Sequence, residues 1–521
     1  MPDTHSTVSI LILLLLIASA VAMATKWVRV PYTLALVIVG LVISPMHFLP
    51  VVHVSPELIL LIFLPALLFE AAWNLKLEQL RANLWPILTL AVAGVCLSVG
   101  VIGLILRFGA GVSWQTALLF GAMISATDPV SVLALFRQLS LPKRLTTIIE
   151  GESLFNDGTA VVVFRIVLGF VIGTAAATPG ELVWGSLRQF GVVVFGGMAV
   201  GVVAGLLAST LTSYFNDHLL EITLTTIAAY GSFLLAEGLQ VSPVIAVLLT
   251  GLVIGNWGRR VGMSPTTQVA VNSFWEYAAF VVNSLVFLLI GLEVQVSALV
   301  QNLTAVAWGV LAMLAARLIS VYGVILATNR LSARIPLAWQ HILFWGGLRG
   351  SLSIALVLSL PKAIEGRSQL VVTIFGTVIF SLLVQGLTLG PLLKRLTLAK
   401  PSAEFWEYEL LQGRMLIAAA AGAELEFLRT KGMVTEPIYQ DMLATSSQSH
   451  EALTRQLTEL QSANQELERR QRRLVERHLI DAKKTRLAEL LRDGLLSEAS
   501  HRALGRQLDE EAAVARAEPP G

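Results

Sequence analysis

Residues 149–164 form an apolar run that holds Glu150, Glu152, Asn156 and Asp157 in its first half. A charged side chain at the centre of a bilayer costs from about 3 to more than 10 kcal/mol, so such groups face a bundle interior or an aqueous cavity and mark function. At helical spacing Glu152 and Asn156 share one face, and Ser153 and Asp157 share the next. Two polar faces on one buried helix imply two tasks. Elsewhere Thr127 and Asp128 directly precede Pro129, Glu70 ends an apolar run, Arg317 interrupts another, and Arg349 lies in Gly346-Gly-Leu-Arg-Gly350. Carboxylates beside hydroxyls and freed backbone carbonyls can bind a small cation or a proton. For Asp128, capping exposed backbone amides is an equal alternative to ion contact. Glu70 could be solvated at an interface.

The elements that must position these groups are apolar segments long enough to cross a bilayer. Thirteen are expected, at 8–24, 30–46, 56–74, 83–106, 114–136, 144–172, 181–209, 218–237, 242–257, 266–292, 303–328, 338–360 and 369–393. Two are interrupted. Pro129 removes a backbone donor and clashes with the preceding turn in the fifth, and the glycines of 346–350 break the twelfth. If spans 1–6 and 8–13 are inverted repeats, these are equivalent members, and broken helices at corresponding places put the substrate site where they cross. The expected fold is an all-α polytopic membrane protein of about thirteen helices in two inverted repeats with two broken crossing helices.

Composition agrees. The chain is 55% hydrophobic and 14% charged, with mean hydropathy +0.73. Half of its 72 charged residues lie from Ser402 onward, so residues 1–400 read as a membrane domain and 401–521 as a helical cytoplasmic tail. With the N-terminus outside, the inner loops carry thirteen Lys and Arg and the outer loops only Arg107, Lys362 and Arg367. Ala20-Val-Ala22 and Ala22-Met-Ala24 have signal-peptidase spacing, but no Lys or Arg precedes them, so a retained first helix is expected. In the tail, Leu453, Leu457, Leu460, Asn464, Leu467, Gln471, Leu474 and His478 follow a heptad spacing, consistent with a short coiled coil over 450–480 or a helix packed on its own tail. His450, His478 and His501 are eligible pH sensors. The single cysteine, Cys96, excludes an intrachain disulfide, no Cys/His cluster has zinc-ligand spacing, and a net charge of +2 gives no reason to invoke nucleic acid. No GxxxxGK[ST] motif is present, so no nucleotide-driven step or cofactor is expected.

Ser125-Ala-Thr-Asp-Pro-Val-Ser131, Glu150-Gly-Glu-Ser-Leu-Phe-Asn-Asp-Gly158 and Gly346-Gly-Leu-Arg-Gly350, preceded by Phe63-Leu-Pro-Ala-Leu-Leu-Phe-Glu70 and with Ala315-Ala-Arg317 between, resemble the monovalent cation/proton antiporters of the NhaP/NHE type (the CPA1 family). The resemblance spans residues 8–400 and leaves the tail uncovered. It implies an NhaA-like antiporter fold with a core and a dimerisation domain, a homodimer in the plasma membrane, and Asp157 as the carboxylate that takes Na⁺ or H⁺. It further implies that Thr127, Asp128 and Ser153 complete the ion site and that Glu70 contributes through water. Glu152 and Arg317 would form a structural ion pair. Relatives with Asp-Asp in place of Asn156-Asp157 are electrogenic, which implies electroneutral exchange here. Gly158 departs from the Ala or Pro of many relatives, with little expected consequence.

Sodium is the first expectation for the cation; potassium or lithium is the alternative, since all accept the same oxygen ligands. An intramembrane aspartyl hydrolase using Asp128 and Asp157 as acid and base would need a Gly-x-Gly-Asp motif that the chain lacks. A cation channel is disfavoured because titratable carboxylates in mid-span suit exchange better than conduction. Arg349 could offset helix dipoles or repel cations, and Arg165, two turns beyond Asp157, has no assigned role.

Overall fold

A computed structural model describes residues 4–27, 30–44, 57–139, 141–172, 179–214, 217–259, 263, 265–330, 333–396 and 403–463, and scattered positions beyond. The chain divides into two compact units, Met1–Ala399 and Lys400–Gly521.

Every regular element among the described residues of the first unit is a helix. Its principal helices are α1 (Thr4–Ala24), α2 (Tyr32–Ile43), α3 (Leu64–Asn74), α4 (Val95–Gly109), α5 (Trp114–Ile124), α6 (Val130–Leu139), α7 (Lys143–Ile172) and α8 (Pro179–Thr212). They continue as α9 (His218–Gly238), α10 (Pro243–Val253), α11 (Pro265–Glu293), α12 (Leu303–Thr328), α13 (Leu337–Trp345), α14 (Ser351–Leu358), α15 (Arg367–Phe380) and α16 (Gly386–Arg395). Wide π turns at Leu58–Phe63, Thr89–Gly94, Ile254–Gly258 and Ser381–Gln385 extend α3, α4, α10 and α15. Every one of the thirteen expected spans falls on one of these helices or on a pair of half-helices.

Local chemistry sets the helix starts. Ser242 caps α10 by accepting from the Ile245 amide at 3.4 Å, with Pro243 in the first turn where its missing N–H costs nothing. Asp217 caps α9 through the Leu219 and Leu220 amides.

The helices sort into two bundles by packing. In one, α2 lies along α11, α3 along α10, and α8 and α9 against α10. In the other, α4 packs on α5 and α12, α5 on α7, and α12 on α15. Both broken spans, α5–α6 and α13–α14, bring their breaks to the second bundle. The contact at Gly158 is tighter than the sequence suggests: a Cβ there would meet Ile245 Cγ1 at 2.8 Å, across the seam between α7 and α10. Glycine at this position therefore sets how closely the two bundles approach, which corrects the expectation of little consequence.

The tail contains Ala403–Thr430 and Glu436–Ala463 as an antiparallel helix pair. Leu453, Leu457 and Leu460 pack on Tyr408, Leu411 and Met415 of the preceding helix, so this part of the heptad seam is used within the pair. Asn464, Leu467, Gln471, Leu474, His478 and His501 lie outside the described residues, as does the side chain of His450.

Candidate functional site

Pro129 and the glycines leave residues 125–129 and 346–350 outside the helices, and the two stretches meet where the Asp128 amide donates to the Leu348 carbonyl at 2.8 Å. Each break strands carbonyls at one half-helix end and amides at the next. Named side chains satisfy them. The Arg349 guanidinium donates to the Ser125 and Ala126 carbonyls at 2.8 and 3.1 Å, at the end of α5. Arg317 donates to the Leu343 carbonyl at 2.9 Å, near the end of α13. Each broken half-helix thus ends its carbonyl row on a guanidinium, the charge that a helix C-terminus favours. These contacts put the Arg349 charge at the C-terminal end of α5, the geometry of the first of its two expected roles.

Asp128 does two things at once. Its Oδ1 accepts from the Val130 amide at 2.9 Å, capping α6. Its other oxygen lies against Gly350, where a Cβ would fall on the carboxylate, so only glycine admits Asp128 at that point. Gly347 gives the same clearance to Arg317, whose Nε would lie 2.6 Å from an added Cβ.

Helix α7 delivers the second set. Ser153 donates to the Thr127 carbonyl, and the Asn156 amide donates to Thr127 Oγ1 at 3.3 Å. Both polar faces of α7 therefore converge on Thr127, Ser153 from one and Asn156 from the other. Glu152 is buried and joins Arg317 in a two-pronged ion pair at 2.7 and 2.9 Å. Asp157, by contrast, has no hydrogen-bond partner among the described residues and faces a cavity.

That cavity has a volume of about 600 Å³ and reaches Thr127, Asp128, Ser153 and Asp157 at its inner end. Glu70, Glu150 and Glu276 also line it, and Asn74 donates to Glu70 Oε1 at 2.7 Å. No Lys, Arg or His is among its lining residues. Its walls come from both bundles: α3 and α11 on one side, α6, α7 and the start of α14 on the other. The lining residues of α7, Glu150 to Asp157, lie in its N-terminal half. Beyond the crossing, the same seam narrows to about 10 Å³ among Ile59, Phe63, Val286, Leu289, Ile290, Ile354, Leu358 and Phe375, with Glu293 also on its lining.

The structure thus brings Asp157, Asp128, Thr127, Ser153 and Asn156 to one point and Glu70 to the wall of the approach. Glu152 and Arg317 stand behind them. Arg165 is exposed on α7, and nothing in the structure explains it. Glu276, Asn272 and Asn283 were not singled out from the sequence; they sit four and seven apart on α11, at helical spacing on the face that lines the cavity. The charge in an apolar span was the available signal.

Residues 11–395 match the family described as "Sodium/hydrogen exchanger, transmembrane". The chain is 45% identical over 388 residues to the Na⁺/H⁺ antiporter ApNhaP of Aphanothece halophytica, covering 74% of this chain and 73% of that protein. It is 37% identical to the Na⁺/H⁺ antiporter NhaG of Bacillus atrophaeus over 523 residues, 98% of each chain. The fold is similar to that of the sodium proton antiporter MjNhaP1 of Methanocaldococcus jannaschii, with a TM-score of 0.64, 18% identity, and coverage of 75% of this chain and 99% of that one. The chain belongs to the sodium/hydrogen exchanger family and is a multi-pass membrane transporter of the NhaP type.

Proposed function

We propose that this protein is a secondary-active Na⁺/H⁺ antiporter in which Na⁺ and H⁺ compete for the Asp157 carboxylate. The observation that carries the reading is the acidic cavity that ends at Asp157 and Asp128 beside the crossing of two broken helices, with the seam beyond them narrowed to about 10 Å³ among mostly apolar side chains. The relatives named Na⁺/H⁺ antiporters support sodium as the cation.

In this reading Asp157, Ser153 and Thr127 supply the oxygens for sodium, with Asp128 adjacent. Arg349 and Arg317 occupy the helix-end carbonyls, which keeps a cation from binding there instead of at the carboxylates. An ionised Asp157 carrying neither ion is costly to bury, so the bundles rearrange only when it holds sodium or a proton. Loaded states crossing in both directions give exchange, and rocking of the bundle that holds the breaks against the other alternates access. Asn156 contributes no charge, so one cation exchanges for one proton without net charge movement. By the positive-inside rule the N-terminus is outside and the cavity opens to the cytoplasm. The assembly is a homodimer, and the tail is a regulatory unit.

The test is Na⁺-dependent proton movement in everted vesicles. Asp157→Asn abolishes it while the protein still reaches the membrane folded. Sustained exchange by that variant contradicts the assignment. Rates measured with Na⁺, K⁺ and Li⁺ in turn settle the substrate, and exchange supported best by K⁺ contradicts sodium specificity.

A further inference from the structure

Span thirteen holds two polar side chains that neither the cavity nor the ion pair uses. Ser381 and Gln385 bound the π turn between α15 and α16, and they are 0% and 1% exposed. Fully buried polar groups in an apolar span are unfavourable unless their hydrogen bonds are made. π turns are uncommon and cluster at functional sites, because the extra residue re-aims the side chains that follow.

Both side chains reach the second break. Ser381 Oγ accepts from the Arg349 amide at 3.0 Å and donates to the Val378 carbonyl at 2.8 Å. Gln385 donates to the Trp345 carbonyl at 3.3 Å. The first contact fixes Arg349, two residues before α14, and the second takes the last carbonyl of α13. Only residues 346–348 separate these two clamps.

Those residues control the ion site. Leu348 accepts from the Asp128 amide, and Arg349 carries its guanidinium to the Ser125 and Ala126 carbonyls. Thr127 and Asp128 are thereby held from the opposite broken helix. A shift of the Arg349 backbone moves both attachments together.

We propose that Ser381 and Gln385 are positioning residues for the cation site, acting through Arg349 and the second helix break on Thr127 and Asp128. The proposal rests on the reading of Asp157, Asp128 and Thr127 as the Na⁺/H⁺ exchange site. A side chain that served only to fill span thirteen would affect how much protein folds, but not the sodium concentration needed for half-maximal exchange.

The full-length protein in proteoliposomes provides the test, with sodium as the probe. Ser381→Ala raises the apparent KM for Na⁺ by about tenfold, the order expected for loss of one hydrogen bond to a buried amide. The maximal rate per folded protein changes less than twofold on the order of the same estimate, and the acid limb of the pH profile moves to higher pH because the proton competes more effectively. Ser381→Thr, which keeps the hydroxyl, restores both. Should the alanine variant not fold, Ser381→Cys keeps the volume, weakens the acceptor and carries the same two readouts. An unchanged KM and pH profile in the variant that folds overturns the proposal. Sodium-dependent exchange by the unaltered protein and its loss in Asp157→Asn are measured in the same preparation, so failure of the underlying reading is distinguished from failure of this one.

Discussion

The two ends of the seam between the bundles are built from the same helices and differ in almost every other respect. On α11, Asn272, Glu276 and Asn283 line the wide end, whereas Val286, Leu289 and Ile290 close the narrow one. Helix α3 repeats the division, with Glu70 and Asn74 at the wide end and Ile59 and Phe63, from its π extension, at the narrow end. One end offers five carboxylates around about 600 Å³; the other leaves about 10 Å³ among eight apolar side chains and Glu293. A cation can shed water gradually among the oxygen ligands of the wide end, whereas the narrow end is mostly apolar. Under the proposed exchange mechanism the contrast is an access state, with Asp157 open to one side and the narrow end as the closed gate. It also separates two kinds of residue, those that attract and hold the ion and those that exclude water behind it.

Four substitutions probe that division, in decreasing order of expected effect. Arg317→Ala strands the buried Glu152 charge and frees the Leu343 carbonyl, and breaking a buried pair in this way costs about 3–5 kcal/mol. Thermal unfolding in detergent should show a large loss of stability, and Glu152→Gln added to Arg317→Met should recover much of it. A fall within error of zero would mean that the pair does not support the framework behind the site.

Ile290→Asn places an amide in the apolar gate, where Ile290 is 3% exposed. Proton leak without sodium should rise above the level of the unaltered protein in a vesicle dye assay. A tight variant would show that closure does not depend on this layer.

Gly158→Ala presses a methyl on Ile245 where the bundles meet. The maximal exchange rate should drop by roughly several-fold, the size of a 1 kcal/mol overpacking penalty, with the apparent KM for Na⁺ unchanged. Ile245→Ala in the same chain should restore it. Equal rates with and without the methyl would show that this contact does not limit the rearrangement.

Glu276→Gln removes one exposed charge from the cavity wall. About a twofold rise in KM for Na⁺ is expected at low ionic strength, vanishing when choline chloride screens the field. A rise that survives high salt would instead make Glu276 a direct ligand.

Much of this arrangement is legible in the sequence because a membrane makes errors expensive. Hydropathy locates every span, and Pro129 and the glycines of 346–350 mark both breaks because they remove or weaken the backbone ladder. Asp157, Asp128 and Glu152 stand out because a charge in an apolar run demands a reason. What stays hidden depends on distances between helices. Ser381 and Gln385 look like polar residues that could satisfy their own helix, and no spacing rule tells which break they clamp. Arg349 could have served either to balance a dipole or to repel a cation, and only its contacts with Ser125 and Ala126 put its charge at a helix end. The demand for glycine at 158 likewise follows from where α10 passes. The tail seam was ambiguous because leucines at heptad spacing serve a coiled coil and a helix hairpin equally well.

The central claim is that one carboxylate serves both ions. Initial exchange rates in proteoliposomes, measured over a range of Na⁺ concentrations at successive pH values, address it most directly. Competition at Asp157 predicts that on the acid side the apparent KM for Na⁺ rises about tenfold per pH unit while the maximal rate stays constant, as mass action at one shared site requires. A constant KM with a maximal rate that falls with acidity would place the proton and the cation at separate sites and contradict the account.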